Sequence, residues 1–120
     1  MATMKSYTDL EQSKKLAEIL PLESADCYWD YDEMQKFHRI SWFEEGYNKN
    51  SQLMLNENNV CAWSLTALLS VLPNYHLQTQ DNGIGIMCSC KKGHMQTIEA
   101  SNPIDACYEM ILKLHELKML

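Results

Sequence analysis

The stretch Tyr75-His76-Leu77-Gln78-Thr79-Gln80-Asp81-Asn82-Gly83-Ile84-Gly85-Ile86-Met87-Cys88-Ser89-Cys90 decides the fold. Asn-Gly is the strongest short hairpin signal, because both central turn positions need positive φ. A two-residue Asn82-Gly83 turn pairs Asp81 with Ile84. It places Tyr75, Leu77 and Thr79 on one face with Ile84, Ile86, Cys88 and Cys90. The other face carries His76, Gln78, Gln80 and Ser89, the alternation of a half-buried sheet. Residues 75–100 therefore read as a three-stranded antiparallel meander.

Downstream, Asn102-Pro103 supplies a helix cap and a first-position proline. Ile104, Cys107, Ile111, Leu114 and Leu117 follow at helical spacing. This predicts a helix over 103–118 that packs on the apolar sheet face. Upstream, residues 61–72 predict a buried helix capped by Asn58 or Asn59 and ended by Leu72-Pro73-Asn74. Thr8-Asp9-Leu10-Glu11 reads as a capping box with Thr8 as the cap, opening a helix that Pro21 stops. Residues 21–26 predict one further turn. Residues 27–59 hold Tyr28, Trp29, Tyr31, Phe37, Trp42, Phe43 and Tyr47 and fit neither period cleanly. A strand within 37–43, a loop over 44–51 and a short strand at 52–55 are the expectations there.

No repeat, low-complexity tract or Pro/Gly-rich linker divides the chain. One α+β domain over residues 1–120 is expected, with a three- or four-stranded antiparallel sheet and helices mainly on one face. At 120 residues and 46% hydrophobic content, the chain can build a core without metal or disulfide staples. The longest apolar run, 65–72, falls short of the roughly 20 residues of a bilayer span. The N-terminal residues lack a signal-peptide pattern, so a cytoplasmic location and no membrane partner are expected. Five cysteines, Cys27, Cys61, Cys88, Cys90 and Cys107, form no Cys-x-x-Cys, and reduced thiols are expected.

Two constellations could carry chemistry. In Cys88-x-Cys90-x-x-x-His94, two thiols and an imidazole could hold zinc or copper. A Lys92-Gly93 turn sends His94 to the face opposite both cysteines. A Lys91-Lys92-Gly93 loop pairs Cys90 with His94 and puts all three on one face. The alternative makes Cys88 and Cys90 small core hydrophobes, and no cofactor is expected. A cysteine nucleophile needs a thiolate beside a base, but Cys27, Cys61 and Cys107 lie in apolar or acidic surroundings. Nothing in the spacing selects a partner among His38, His76, His94 and His115. The carboxylate pairs Asp30/Asp32 and Asp32/Glu33 read as solvated charge. Gly83-x-Gly85 is too short for a phosphate loop, and no nucleotide, zincin or nucleophile-elbow motif occurs.

The second constellation is a charge block. Ten bases and sixteen acids give the chain −6. Between Lys15 and Lys36 stand Glu18, Glu23, Asp26, Asp30, Asp32 and Glu33 with no base, so residues 16–35 carry the whole imbalance. Direct nucleic-acid binding is disfavoured. Asp26, Tyr28, Trp29, Asp30, Tyr31, Asp32 and Trp42 form a candidate partner-binding surface, since acids with exposed aromatics suit a protein interface. In the competing reading the aromatics point inward and the acids stay solvated.

Three stretches carry a resemblance: residues 10–16 with Glu23-Ser24-Ala25-Asp26, Ala62-Trp63-Ser64-Leu65-Thr66-Ala67-Leu68-Leu69, and Asn102-Pro103-Ile104-Asp105-Ala106-Cys107-Tyr108-Glu109-Met110. Together they resemble a family of small uncharacterised proteins of gut anaerobe genomes, their prophages and mobile elements. That family often places a proline where this chain has Cys61 or Ala62. The resemblance implies a cytoplasmic accessory protein, admits a phage origin and transfers no functional residue. The leading expectation is a non-enzymatic protein-interaction module with an unknown protein partner. A metal or thiol site at Cys88, Cys90 and His94 comes second. An acidic inhibitor of a nucleic-acid-binding enzyme comes third, its charge standing in for phosphates.

Overall fold

In the computed structural model, residues 5–44, 48, 49, 53, 56–81, 83–89 and 95–120 are described. Among the described residues the chain is an α+β domain with two three-stranded antiparallel sheets where the sequence suggested one. The first sheet, order β2-β1-β3, joins β1 (Cys27–Asp32), β2 (Phe37–Trp42) and β3 (Val60–Ala62). The second, order β4-β5-β6, joins β4 (Tyr75–Gln80), β5 (Gly83–Ser89) and β6 (Met95–Ala100). Three α-helices, α1 (Leu10–Ala17), α2 (Leu65–Val71) and α3 (Pro103–Glu116), are described around them, with a 3-10 turn at Leu22–Ser24.

The expected meander is present, with a shifted register. Gln80 pairs with Gly83 and Thr79 with Ile84, so Gly83 belongs to the strand and not to the turn, and Asn82 lies outside the described residues. A slip of two residues leaves every side chain on its expected face. In the observed register Leu77, Ile86 and Ile98 stand across from one another on the inner face. Gly83 serves the strand: a Cβ there would lie 2.1 Å from the Ala100 carbonyl oxygen. In the second hairpin the ladder closes at Ser89 opposite Met95, and Cys90 to His94 lie outside the described residues.

Helix α3 crosses β5 and β6, with Ile104, Cys107, Met110, Ile111 and Leu114 fully buried on its inner side. It ends two residues earlier than the spacing predicts. Lys118 is left-handed (φ 60), and Met119 N–H and Lys118 N–H reach the Leu114 and His115 carbonyls at 2.8 and 3.0 Å. This Schellman arrangement turns Leu117 out to solvent. Helix α2 packs against α3. Its cap is Ser64, whose Oγ accepts from Ala67 N–H, because residues 60–62 belong to β3 instead of the helix. The cap of α1 is Asp9, reciprocated by Gln12. Thr8 is fully buried and otherwise engaged: its Oγ1 accepts from Trp63 N–H at 3.1 Å and shares a 2.7 Å hydrogen bond with Ser13 Oγ. Of the short strand expected at 52–55, only Leu53 is described, and it is helical. Most of the expected 44–51 loop also lies outside the described residues.

The two ends of the domain meet at Asp105. Lys5 Nζ donates to Asp105 Oδ1 at 2.8 Å and to Asp9 Oδ2 at 3.1 Å, and Gln12 Nε2 and Asn102 Nδ2 also donate to the Asp105 carboxylate. Burial raises the Asp105 pKa, but these donors and the Lys5 charge outweigh it and hold the carboxyl below its ordinary 3.8. A depressed folded value means a contribution fully present above the unfolded pKa and lost as pH falls through the folded one. Asp105→Asn is expected to cost about 1–2 kcal/mol at neutral pH. It is also expected to flatten the decline in melting temperature below about pH 4. Parallel melts of wild type and variant across that range check both.

Candidate functional site

The acidic aromatic segment folds into the β1–β2 hairpin, and pairing decides where each candidate side chain stands. Cys27, Trp29 and Tyr31 share one face with Trp42, Ile40 and His38, their partners on β2. Tyr28, Asp30 and Asp32 share the other with Ser41, Arg39 and Phe37. The aromatics and acids read together along the chain are thus divided between two faces.

On the first face, Trp29 is half-buried. Its Nε1–H donates to the Thr8 carbonyl at 3.1 Å, and Tyr7 packs edge-on against it at 5.6 Å. Tyr31 meets the His38 ring at a 51° tilt with centroids 4.9 Å apart, while His38 Nε2 lies 3.0 Å from the Asn58 carbonyl. Ile40 is half-buried, and Trp42 is 53% exposed at the end of the edge strand β2. Along β2 this face is half-buried at His38 and Ile40 and exposed at Trp42.

On the second face, Tyr28 is buried against Phe43, centroids 4.9 Å apart. Asp26, just before β1, accepts from Ser64 N–H at 2.9 Å and from the Ser64 hydroxyl, tying the hairpin to the start of α2. Asp32 builds the β1–β2 turn: Oδ1 takes the Met34 and Gln35 N–H groups at 2.9 and 3.1 Å, and its carbonyl takes Lys36 N–H, where φ is 57°. Arg39 reaches Asp32 at 3.8 Å. Asp30 is half-buried and stands opposite Arg39 across the pair. Asp26 and Asp32 are therefore structural acceptors, and the acidic block does not present one continuous anionic patch.

Cys88 is fully buried on the inner face of β5, within the core that also holds Cys107. Cys90 and His94 lie outside the described residues. Among the described residues, no group of three or more His, Cys, Asp or Glu side chains could hold a metal ion. Burial pushes the Cys61 thiol up to about 11, against the lowering effect of the Lys49 ammonium. It pushes Cys107 up to about 12, with Cys88 adding to the rise. Cys27 is raised further still, by burial and then by Asp26. These are inert core thiols. Titration with an aromatic disulfide at pH 8 is expected to find at most one fast-reacting thiol in the native chain and five after denaturation. Rapid labelling of Cys27, Cys61 or Cys107 in the folded protein would contradict that packing.

A cleft lies beside Phe43. It has a volume of about 430 Å³ and is lined by residues that include Glu23, Asp26, Phe43, Glu44, Lys49 and Ser70. Lys49 Nζ donates to the Glu23 carbonyl at 3.0 Å and to the Ala25 carbonyl, and it sits 5.3 Å from the centre of the Phe43 ring. Sequence reading had no signal for this cleft, because Lys49 and Glu23 are 26 residues apart and no period or motif links them.

No helix of the described residues is long and apolar enough to cross a membrane. No family model, curated protein or solved structure matches the chain.

Proposed function

We propose that the protein is a non-enzymatic protein-interaction module whose contact surface is centred on Trp42 at the edge strand β2. The observation that carries this reading is Trp42, more than half exposed on an edge strand. Ile40, His38, Trp29 and Tyr31 continue the same face behind it. Exposed tryptophan is enriched at the energetic centres of protein interfaces. The edge position lets a partner reach both the ring and the strand backbone. Trp29 and Tyr31 serve as the anchored base of this surface, since Trp29 is held by Thr8 and Tyr7. Asp30 and Asp32 stand on the opposite face, and Asp32 is taken up by the β1–β2 turn and Arg39, so neither belongs to this surface.

Trp42 is also the residue to change, because its exposure makes the fold indifferent to it. Trp42→Ala is expected to shift stability by no more than about 0.5 kcal/mol. It is expected to release a partner that wild type retains in affinity isolation from the native host. An unaltered set of retained proteins, with wild type and variant equally folded, would remove this reading. Trp29→Ala is a poorer probe, since it also strips a packed side chain from Tyr7 and Thr8.

A further inference from the structure

We infer that the cleft beside Phe43 is a recognition site for a lysine side chain of a protein partner, held closed in the isolated chain by Lys49. The first support is that an alkylammonium already occupies it. Two main-chain carbonyls, those of Glu23 and Ala25, accept from Lys49 Nζ, and the Phe43 ring lies 5.3 Å from it. Carbonyl oxygens and an aromatic face are the donor-free groups that suit an ammonium with three hydrogens to place. Phe43 is itself fixed by Tyr28, so the ring is in position whether or not Lys49 is there.

The second support is charge. Glu23, Asp26 and Glu44 line the cleft against the single ammonium of Lys49. Among the described residues, none of the three carboxylates forms an ion pair. Asp26 is engaged with Ser64, whereas Glu23 and Glu44 are exposed. The cleft therefore holds an excess of negative charge at its mouth, which favours the approach of a cationic segment. The third support is access. Lys49 is only half-buried, and a cleft of about 430 Å³ has room for an incoming lysine side chain. Exchange of one ammonium for another preserves both carbonyl hydrogen bonds and the ring contact, while the incoming lysine also bears the cost of association, so removal of Lys49 favours it.

This inference rests on the interaction reading only in assigning the lysine to a protein; the Trp42 surface and the cleft are separate, and each is tested by its own residue. The test uses the full chain and a capped Gly-Lys-Gly peptide, with the norleucine peptide as control. Lys49→Ala is expected to bind the lysine peptide at least ten-fold more tightly than wild type, with amide shifts at Ala25 and Phe43, and to ignore the norleucine peptide. n-Butylammonium at millimolar concentration is expected to raise the melting temperature of Lys49→Ala and not that of wild type. Lys49→Met, which keeps the stem in the cleft, is expected to bind neither peptide. Should Lys49→Ala fail to fold, the wild-type titration still decides: competition predicts saturable shifts at Ala25 and Phe43 with the lysine peptide alone. Equal response to lysine and norleucine peptides, equal affinity of wild type and Lys49→Ala, or shifts confined to other residues would overturn the proposal.

Discussion

Trp63→Ala is expected to remove about 3–5 kcal/mol of stability. Trp63 is fully buried and is the largest fully buried side chain described. Its backbone N–H and carbonyl bracket Thr8, and its indole N–H donates to Ser24 Oγ at 2.9 Å. Truncation therefore opens a cavity where the first sheet, the 3-10 turn and α2 converge. Domains of this size hold roughly 5–15 kcal/mol in all, so the loss takes a large share of the total. Urea unfolding should show a lower midpoint with an unchanged slope, the signature of a stability change between the same two states. Trp63→Phe separates packing from polarity: it keeps most of the volume and loses the Ser24 hydrogen bond. A loss below about 1 kcal/mol for the alanine variant would mean that the site collapses around the missing ring.

The second large effect is expected at Gly83. An alanine Cβ would stand 2.1 Å from the Ala100 oxygen and 3.1 Å from its carbonyl carbon. Both are backbone atoms, so no rotamer change relieves the overlap, and the β5–β6 ladder must part at Ile84 and Ala100. We expect a cost of about 3 kcal/mol, the upper end of ordinary overpacking. Hydrogen exchange should report the place directly, through faster exchange of amides around Ile84 and Ala100. Asp81→Ala, in the adjoining loop, is the control and should stay within about 0.5 kcal/mol of wild type. Equal effects at the two positions would point to the turn, not the strand contact, as the constraint.

The Gly83 contact also shows how far the sequence could be read. Alternation in 75–89 located the second sheet and both its faces, because period two survives a two-residue slip. It could not choose between registers, since that choice depends on an Ala100 carbonyl 17 positions away. Asn102-Pro103 and the 3.6-residue stripe located α3, while the left-handed Lys118 that ends it carries no glycine signal. β1 was hidden for a different reason. Trp29 and Tyr28 are both apolar yet stand on opposite faces, one covered by Tyr7 and the other by Phe43. A strand covered on both sides lacks the alternation that identifies a half-buried one. The acidic block was legible as composition only. Whether Asp26 is a rim charge or the acceptor for Ser64 depends on a partner 38 residues distant.

The bond between Lys5 and Asp105 joins residues 100 positions apart. A ribosome adding about 5–20 residues per second leaves on the order of 5–20 s between the synthesis of the two. Late in that interval the β1–β2 hairpin is already made, but Leu16, Leu68 and Ile86 have no α3 to cover them. The nascent chain therefore carries bare apolar surface until residues 104–114 emerge. Apolar surface exposed in that way is what a holding chaperone binds before the domain closes.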